Sequence, residues 1–203
     1  QQRGAEVRLF LSERTNEAEA VVGTCKSIWN DEQQRDYLLT ADLVFAEFGA
    51  AYDLLYLLPV LQGRGPRLVV EYHGLTPIEL ADAGLHSQLL EAQQQRSLLW
   101  AADAILVHSQ FASEELIEAT GIPVERTHQL PCWVAPVEKH EAATAEALRQ
   151  KHGLVHSKVL LFVGRFARNK QPRVVIEVLA ALRSESEEIH AIFVGPQDDL
   201  YRE

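Results

Sequence analysis

The sequence has 203 residues, 47% of them hydrophobic, which is ample for a packed core, and its formal charge at pH 7 is −10. That charge argues against general nucleic-acid binding and against a broadly basic membrane-binding surface, leaving only local basic patches for either role. The two cysteines, Cys25 and Cys132, lie far apart and form neither a disulfide framework nor a metal-binding pair, and no apolar run reaches the roughly 18 residues of a membrane span, so an intracellular, reducing compartment is the default expectation.

Gln1–Gly4 reads as the end of a helix and its turn, and Val7–Leu11 (VRLFL) as a first strand. An α/β fold ordinarily opens on a strand, so the sequence is expected to begin inside a larger protein. In the polar stretch 12–40, Ala18–Val22 fits a strand or a helix, and Asp31–Leu39 is expected to be helical. Leu43–Phe48 (LVFAEF) reads as a strand stopped by Gly49, and Tyr52–Leu61 as a strongly apolar helix too short to cross a membrane. Gly63-Arg64-Gly65-Pro66 is a turn. It precedes a strand instead of following one, so it lacks the context of a phosphate-binding glycine loop. Arg67–Tyr72 (RLVVEY) is the next strand, with His73-Gly74 at its carboxyl end. Thr76-Pro77-Ile78-Glu79 has the form of a capping box with proline at the first helical position, which would put His73 on a short loop between a strand end and a helix start. A histidine there is either a loop residue bonded to backbone or a group facing a ligand.

Ser87–Ala101 reads as a long helix, Ala104–Val107 as a buried strand ended by His108-Ser109, Phe111–Thr120 as a helix stopped by Gly121, and Thr127–Leu130 as a short strand. Pro131, Pro136 and the segment to Ala142 resemble a linker, and Ala143–His152 is a helix stopped by Gly153. Val159–Val163 is an unbroken apolar run, expected to be a strand buried on both faces of a parallel sheet. Gly164 ends it, Pro172 suits a first helical turn, and Arg173–Arg183 places Val174, Val175, Val178, Leu179 and Leu182 at helical spacing. His190–Val194 closes a strand-loop-helix-strand unit. Between Lys158 and Arg173 there are five cationic residues and no acid, in an otherwise acidic chain. Arg165 and Lys170, at the carboxyl end of a parallel strand and beside a helix N-terminus, fit an anion site; the alternative is a solvated basic loop.

Strands alternate with helices throughout, so the fold class is α/β with parallel sheets and right-handed crossovers. The expected organisation is an N-terminal Rossmann-like domain over 1–131, a linker and helix over 132–152, and the start of a second Rossmann-like domain over 153–203. One βαβ unit cannot bury its own core. The second domain is therefore expected to be cut short at Glu203, with Val159–Glu203 exposing apolar sheet surface.

Several segments, in order, carry a resemblance: YHGLTP (Tyr72–Pro77), DAILVHSQFASEEL (Asp103–Leu116), RQKHGL (Arg149–Leu154), LLFVGRFARNKQ (Leu160–Gln171) and IFVGP (Ile192–Pro196). Together they resemble the retaining family-4 glycosyltransferases of the GT-B fold over roughly residues 40–203, most of all members that move mannose or similar sugars onto polysaccharides or glycolipids. The resemblance implies two Rossmann-like domains facing each other across a cleft, both incomplete in this sequence. It implies a nucleotide-diphosphate sugar as donor, a saccharide or lipid-linked acceptor, retention at the anomeric carbon, and no metal or other cofactor. It also implies a cytoplasmic protein that meets a membrane only peripherally, at its inner face. Arg165 and Lys170 would hold the donor diphosphate, with Gly164 allowing backbone to approach it; many members have glycine after the lysine, where this sequence has Gln171. His73 would contact the donor sugar as the catalytic residue. Gly74 and Ser109 are further cleft positions, and Phe48, Gly49 and Tyr52, at another strand end, are candidates for the acceptor side. The first strand with its glycine-rich loop would precede Gln1, and an acidic pair that contacts the donor sugar would follow Glu203, so this stretch alone is expected to be inactive. A GT-B epimerase and a non-catalytic sugar-nucleotide-binding module are the rival readings. No G-x-G-x-x-G follows a strand, which argues against a dinucleotide oxidoreductase.

Overall fold

The computed structural model describes residues 4–13, 20–136, 142–183 and 188–196. They fall into two compact units, one of residues 1–78 and 83–133, the other of residues 79–82 and 134–203.

The first unit is built on a four-stranded parallel sheet in the order β3 (Leu43–Phe48), β4 (Arg67–Tyr72), β5 (Ala104–Val107) and β6 (Thr127–Gln129). A shorter parallel pair, β1 (Phe10–Leu11) with β2 (Val21–Val22), precedes it. The strand expected over Val7–Leu11 is thus only two residues long. The ambiguous Ala18–Val22 resolves as strand at Val21–Val22, its first two residues lying outside those described. Alternation sets the two faces of the main sheet. Leu68, Val70 and Tyr72 of β4 and Ile105 and Val107 of β5 are buried, whereas Val69, Glu71, Ala104 and Leu106 look the other way and are half-buried.

Helices α1 (Cys25–Asn30) and α2 (Glu32–Thr40) start where side chains satisfy their first amides: Thr24 Oγ1 accepts from the Ser27 N–H and Asp31 Oδ1 from the Gln34 N–H, each at 3.1 Å. The single helix expected over Tyr52–Leu61 is instead a 3-10 turn, Asp53–Tyr56, followed by the short α3 (Leu57–Leu61). Pro59 has no N–H to donate back along the chain, so a continuous α-helical ladder cannot run through it. Leu54, Leu55, Leu57, Leu58 and Leu61 nevertheless all reach the core. The helix expected to start at Thr76 is absent. Two 3-10 turns, Ile78–Leu80 and Ala83–Leu85, lead to α4 (His86–Gln95), because the stretch between Pro77 and Gly84 is too short to offset helix nucleation. The residues after α4, Arg96–Ala101, continue as 3-10 helix, not as part of one long α-helix. α5 (Gln110–Thr120) starts one residue earlier than expected, because Ser109 caps it, and stops as expected at Gly121, which at φ 72° ends it in the left-handed conformation that glycine adopts without cost.

One buried and one half-buried polar cluster accompany this core. Gln95 pairs with the backbone of Tyr52, accepting from its N–H at 3.1 Å and donating to its carbonyl at 3.2 Å. The Tyr72 hydroxyl donates to Glu115 at 2.7 Å, and Glu115 also pairs with Arg96. Burial pushes the phenols of Tyr52 and Tyr72 well above their ordinary value of 10.0; Glu115 adds to this at Tyr72, and the charge of Glu47 at Tyr52. The unfolded chain would release these protons near pH 10 while the folded chain keeps them. Their stabilisation is therefore complete below pH 10 and is lost as pH rises above it, by at most about 1.4 kcal/mol per pH unit for each phenol. Urea midpoints measured between pH 9 and pH 11.5 should fall more steeply for the wild type than for the Tyr52→Phe/Tyr72→Phe double variant. Parallel slopes would refute the assignment.

The second unit contains α6 (Ala142–Lys151), β7 (Lys158–Val163), α7 (Pro172–Arg183) and β8 (Ile189–Val194). The strands pair in parallel, from Lys158 opposite Ile189 to Val163 opposite Val194. α7 packs against the pair, and the rings of Phe162, Phe166 and Phe193 cluster with centroids 5.7–5.9 Å apart. The expectation that β7 is buried on both faces does not hold: Leu161 is 63% and Val163 70% exposed, because no described element lies over that face. Among the described residues no helix is long and apolar enough to cross a membrane.

Candidate functional site

The carboxyl ends of β3, β4 and β5 bring one group of side chains together. Glu71 and His73 are two apart along an extended chain, so they share a face. The parallel register places Glu71 opposite Leu106 and Tyr72 opposite Val107, so the next residues, His73 and His108, emerge side by side. Their ring centroids are 5.0 Å apart. His108 Nε2 lies 3.2 Å from His73 Nδ1 and 3.2 Å from Glu71 Oε1. His108 Nδ1 is 3.0 Å from the Leu130 carbonyl; a carbonyl only accepts, so this nitrogen carries a hydrogen. The side chains of Glu71 and His108 are 21% and 20% exposed, and His73 is exposed.

The backbone around His73 is fixed. Its N–H donates to the Phe48 carbonyl at 2.9 Å, extending the β3–β4 ladder. A Cβ on Gly49 would sit 3.2 Å from His73 Cβ, so the glycine lets the two chains approach. Gly74, at φ 79°, turns the chain immediately after the histidine. The other strand-end candidates have structural duties. Phe48 has no exposed surface and its ring packs 5.8 Å from that of Tyr72, so this side chain is core and cannot line a ligand surface. The Tyr52 hydroxyl donates to the Glu47 carbonyl at 2.5 Å, and the Ser109 hydroxyl oxygen accepts from the Ala112 N–H at 3.1 Å as the cap of α5. Glu71 and His108 were not singled out from the sequence. The available signal was that β4 and β5 each end in a histidine, which become neighbours once the strands are aligned by their carboxyl ends.

The basic loop belongs to the second unit. The Gly164 N–H donates to the Val194 carbonyl and the Phe166 N–H to the Pro196 carbonyl, both at 2.9 Å, so the loop leaves β7 tied to the end of β8. Arg168–Lys170 is a 3-10 turn and Pro172 opens α7. Arg165, Arg168, Lys170 and Arg173 are exposed, and Arg173 pairs with Glu177 at 3.1 Å. Gln171, at φ 50°, is the one non-glycine residue with positive φ among the described residues. It occupies the position where the sequence resemblance leads one to expect glycine, and the left-handed backbone is the physical reason for that preference.

Residues 35–133 match the family model of the glycosyl transferase 4-like domain. A D-inositol 3-phosphate glycosyltransferase of Xylanimonas cellulosilytica is 29% identical over 107 residues, 50% of this chain and 25% of the relative. An alpha-D-kanosaminyltransferase of Streptomyces kanamyceticus is 28% identical over 145 residues, 68% of this chain and 37% of the relative. Among solved structures, Anabaena HepE in complex with UDP is similar with a TM-score of 0.58 at 20% identity, covering 81% of this chain and 42% of HepE; its UDP-glucose complex gives 0.54. That likeness carries the GT-B fold. The chain thus spans between a quarter and about two fifths of these proteins' lengths. The family-4 glycosyltransferase resemblance read from the sequence holds. The residues matched by the family model contain the whole Glu71, His73 and His108 group, with Gly49 and Gly74 beside it, whereas Gly164, Arg165 and Lys170 lie beyond them.

Proposed function

We propose that the whole protein is a glycosyltransferase moving a sugar from a nucleotide-diphosphate donor to a saccharide or lipid-linked acceptor, with retention and without a metal in the reaction. One observation carries this reading: a glycosyl transferase 4-like domain whose sheet holds an exposed histidine, His73, at the carboxyl end of β4, where open parallel sheets meet their ligands. The relatives are glycosyltransferases by name, and the HepE complexes with UDP and UDP-glucose support a nucleotide sugar as donor. A cytoplasmic setting is in keeping with the two free cysteines, and a lipid-linked acceptor would be met at the inner face of a membrane.

In this reading His73 contacts the donor sugar, while Arg165 and Lys170 bind the diphosphate. Negative charge grows on the phosphate oxygens as the glycosidic bond breaks, and two fixed cations stabilise that charge as it develops. No protein nucleophile is invoked; the acceptor hydroxyl attacks on the face the diphosphate leaves, and its proton passes to an oxygen of the departing diphosphate. In the full-length enzyme, His73→Ala is expected to lower turnover at least tenfold, about 1.4 kcal/mol of barrier, with the melting temperature unchanged because the ring is exposed. Unchanged turnover would remove His73 from the mechanism.

A further inference from the structure

We propose that Glu71, His73 and His108 form a binding site for a divalent transition-metal ion of the zinc class. Occupancy of the site inhibits transfer by withdrawing His73 from the donor sugar, a consequence that rests on the proposed role of that histidine. Each of the three residues offers one ligand atom, and all three atoms lie within 4.8 Å of one another. His108 Nε2 is 3.2 Å from His73 Nδ1 and 3.2 Å from Glu71 Oε1. Ligands about 2.0–2.1 Å from a tetrahedral zinc ion stand roughly 3.3–3.4 Å apart, so small movements would seat the ion.

The orientation of the ring points the same way. His108 Nδ1 is held on the Leu130 carbonyl at 3.0 Å, and the opposite nitrogen, Nε2, is thereby aimed at Glu71 and His73. A metal ion satisfies all three groups together. A backbone carbonyl accepting from the far nitrogen of a ligating imidazole is the arrangement that orients histidines at metal centres. Two imidazoles and one carboxylate favour zinc, cobalt or nickel over the all-oxygen preference of magnesium and calcium. The exposed side of His73 leaves a fourth position for water.

The test uses Co²⁺ as a spectroscopic probe for zinc. Titrating the 203-residue chain with Co²⁺ should give a visible absorption band of tetrahedral intensity that saturates at one ion per chain and is abolished by an equivalent of Zn²⁺. Glu71→Gln, nearly isosteric, and His108→Asn should each weaken Co²⁺ binding by at least about tenfold. His156→Ala, at an exposed histidine elsewhere, should leave it unchanged. Circular dichroism melts identify any variant that fails to fold, and if His108→Asn is one, Glu71→Gln decides. No band at millimolar Co²⁺, or binding equally tight in Glu71→Gln, overturns the site. In the full-length enzyme Zn²⁺ should inhibit transfer by the wild type far more than by Glu71→Gln; equal inhibition refutes an inhibitory role for the site. An enzyme without transferase activity would sink the proposed function and leave the Co²⁺ result standing, whereas an active enzyme without the band would sink the metal site alone.

Discussion

Replacing Gly195 with alanine should loosen the β7–β8 pair by about 2–4 kcal/mol, combining forced overpacking with a backbone conformation that side chains resist. Gly195 has φ 150°, and a Cβ there would fall 1.9 Å from the carbonyl oxygen of Gly164 and 2.7 Å from its carbonyl carbon. Those atoms are backbone, so no side chain can rotate aside to relieve the clash. Val163 and Val194 are the last paired residues of the two strands, and the Gly164 N–H still donates to the Val194 carbonyl at 2.9 Å. Gly164 and Gly195 are thus pressed together where the ladder ends. Relief would come by moving Gly164, and Arg165 moves with it, so the variant should disturb the basic loop as well as the sheet. Amide hydrogen exchange reads this locally: protection across Lys158–Val163 and Ile189–Val194 should fall roughly 30- to 700-fold, at 1.4 kcal/mol per factor of ten. Protection across β3–β6 should hold. Gly84→Ala is the control, since nothing lies within 4 Å of its Cβ position. Protection in Gly195→Ala no lower than in Gly84→Ala would mean that the two backbones are not in the contact described.

Much of this architecture was legible because its signals are local. β4 and β5 are short apolar runs with sharp ends, and α5 carries its own stop in Gly121. The elements that differed are those where a local signal competes with something longer in range. The apolar content of Tyr52–Leu61 suggested one helix, but burying five leucines does not require a continuous α-helical ladder, and Pro59 prevents one. The Thr76–Glu79 pattern is a sound helix start with too little helix behind it before Gly84. At the candidate site, His73 was legible from its position after a strand. Its partners were not, because Glu71 reads as an ordinary strand residue and His108 as a strand stop until the parallel register sets them on one face. Phe48 shows the converse: its place at a strand end suggested a ligand surface, but the pleat turns its ring inward onto Tyr72.

Arg165→Ala and Lys170→Ala, each made in the full-length protein, should weaken donor-nucleotide binding and slow transfer by on the order of 1.5–3 kcal/mol, the range for losing a hydrogen bond to a charged group. Both residues sit in the one stretch of an acidic chain that has five cations and no acid, on a loop that leaves a parallel strand and enters α7. Arginine can grip a phosphate through two parallel hydrogen bonds, while lysine acts as a point charge, so Arg165→Lys should recover only part of the loss. Arg168 and Arg173 are the internal controls. Arg173 already pairs with Glu177 one turn along α7, and such an exposed pair contributes little, so alanine at either control position should cost far less. Calorimetric titration with a nucleoside diphosphate separates the cases, repeated at low and high salt. Salt should weaken binding by the wild type more than by either variant, because each variant has one charge fewer to screen. Equal losses at all four positions would describe a diffuse basic patch in place of a diphosphate site, and the catalytic role given to this loop would fall with it.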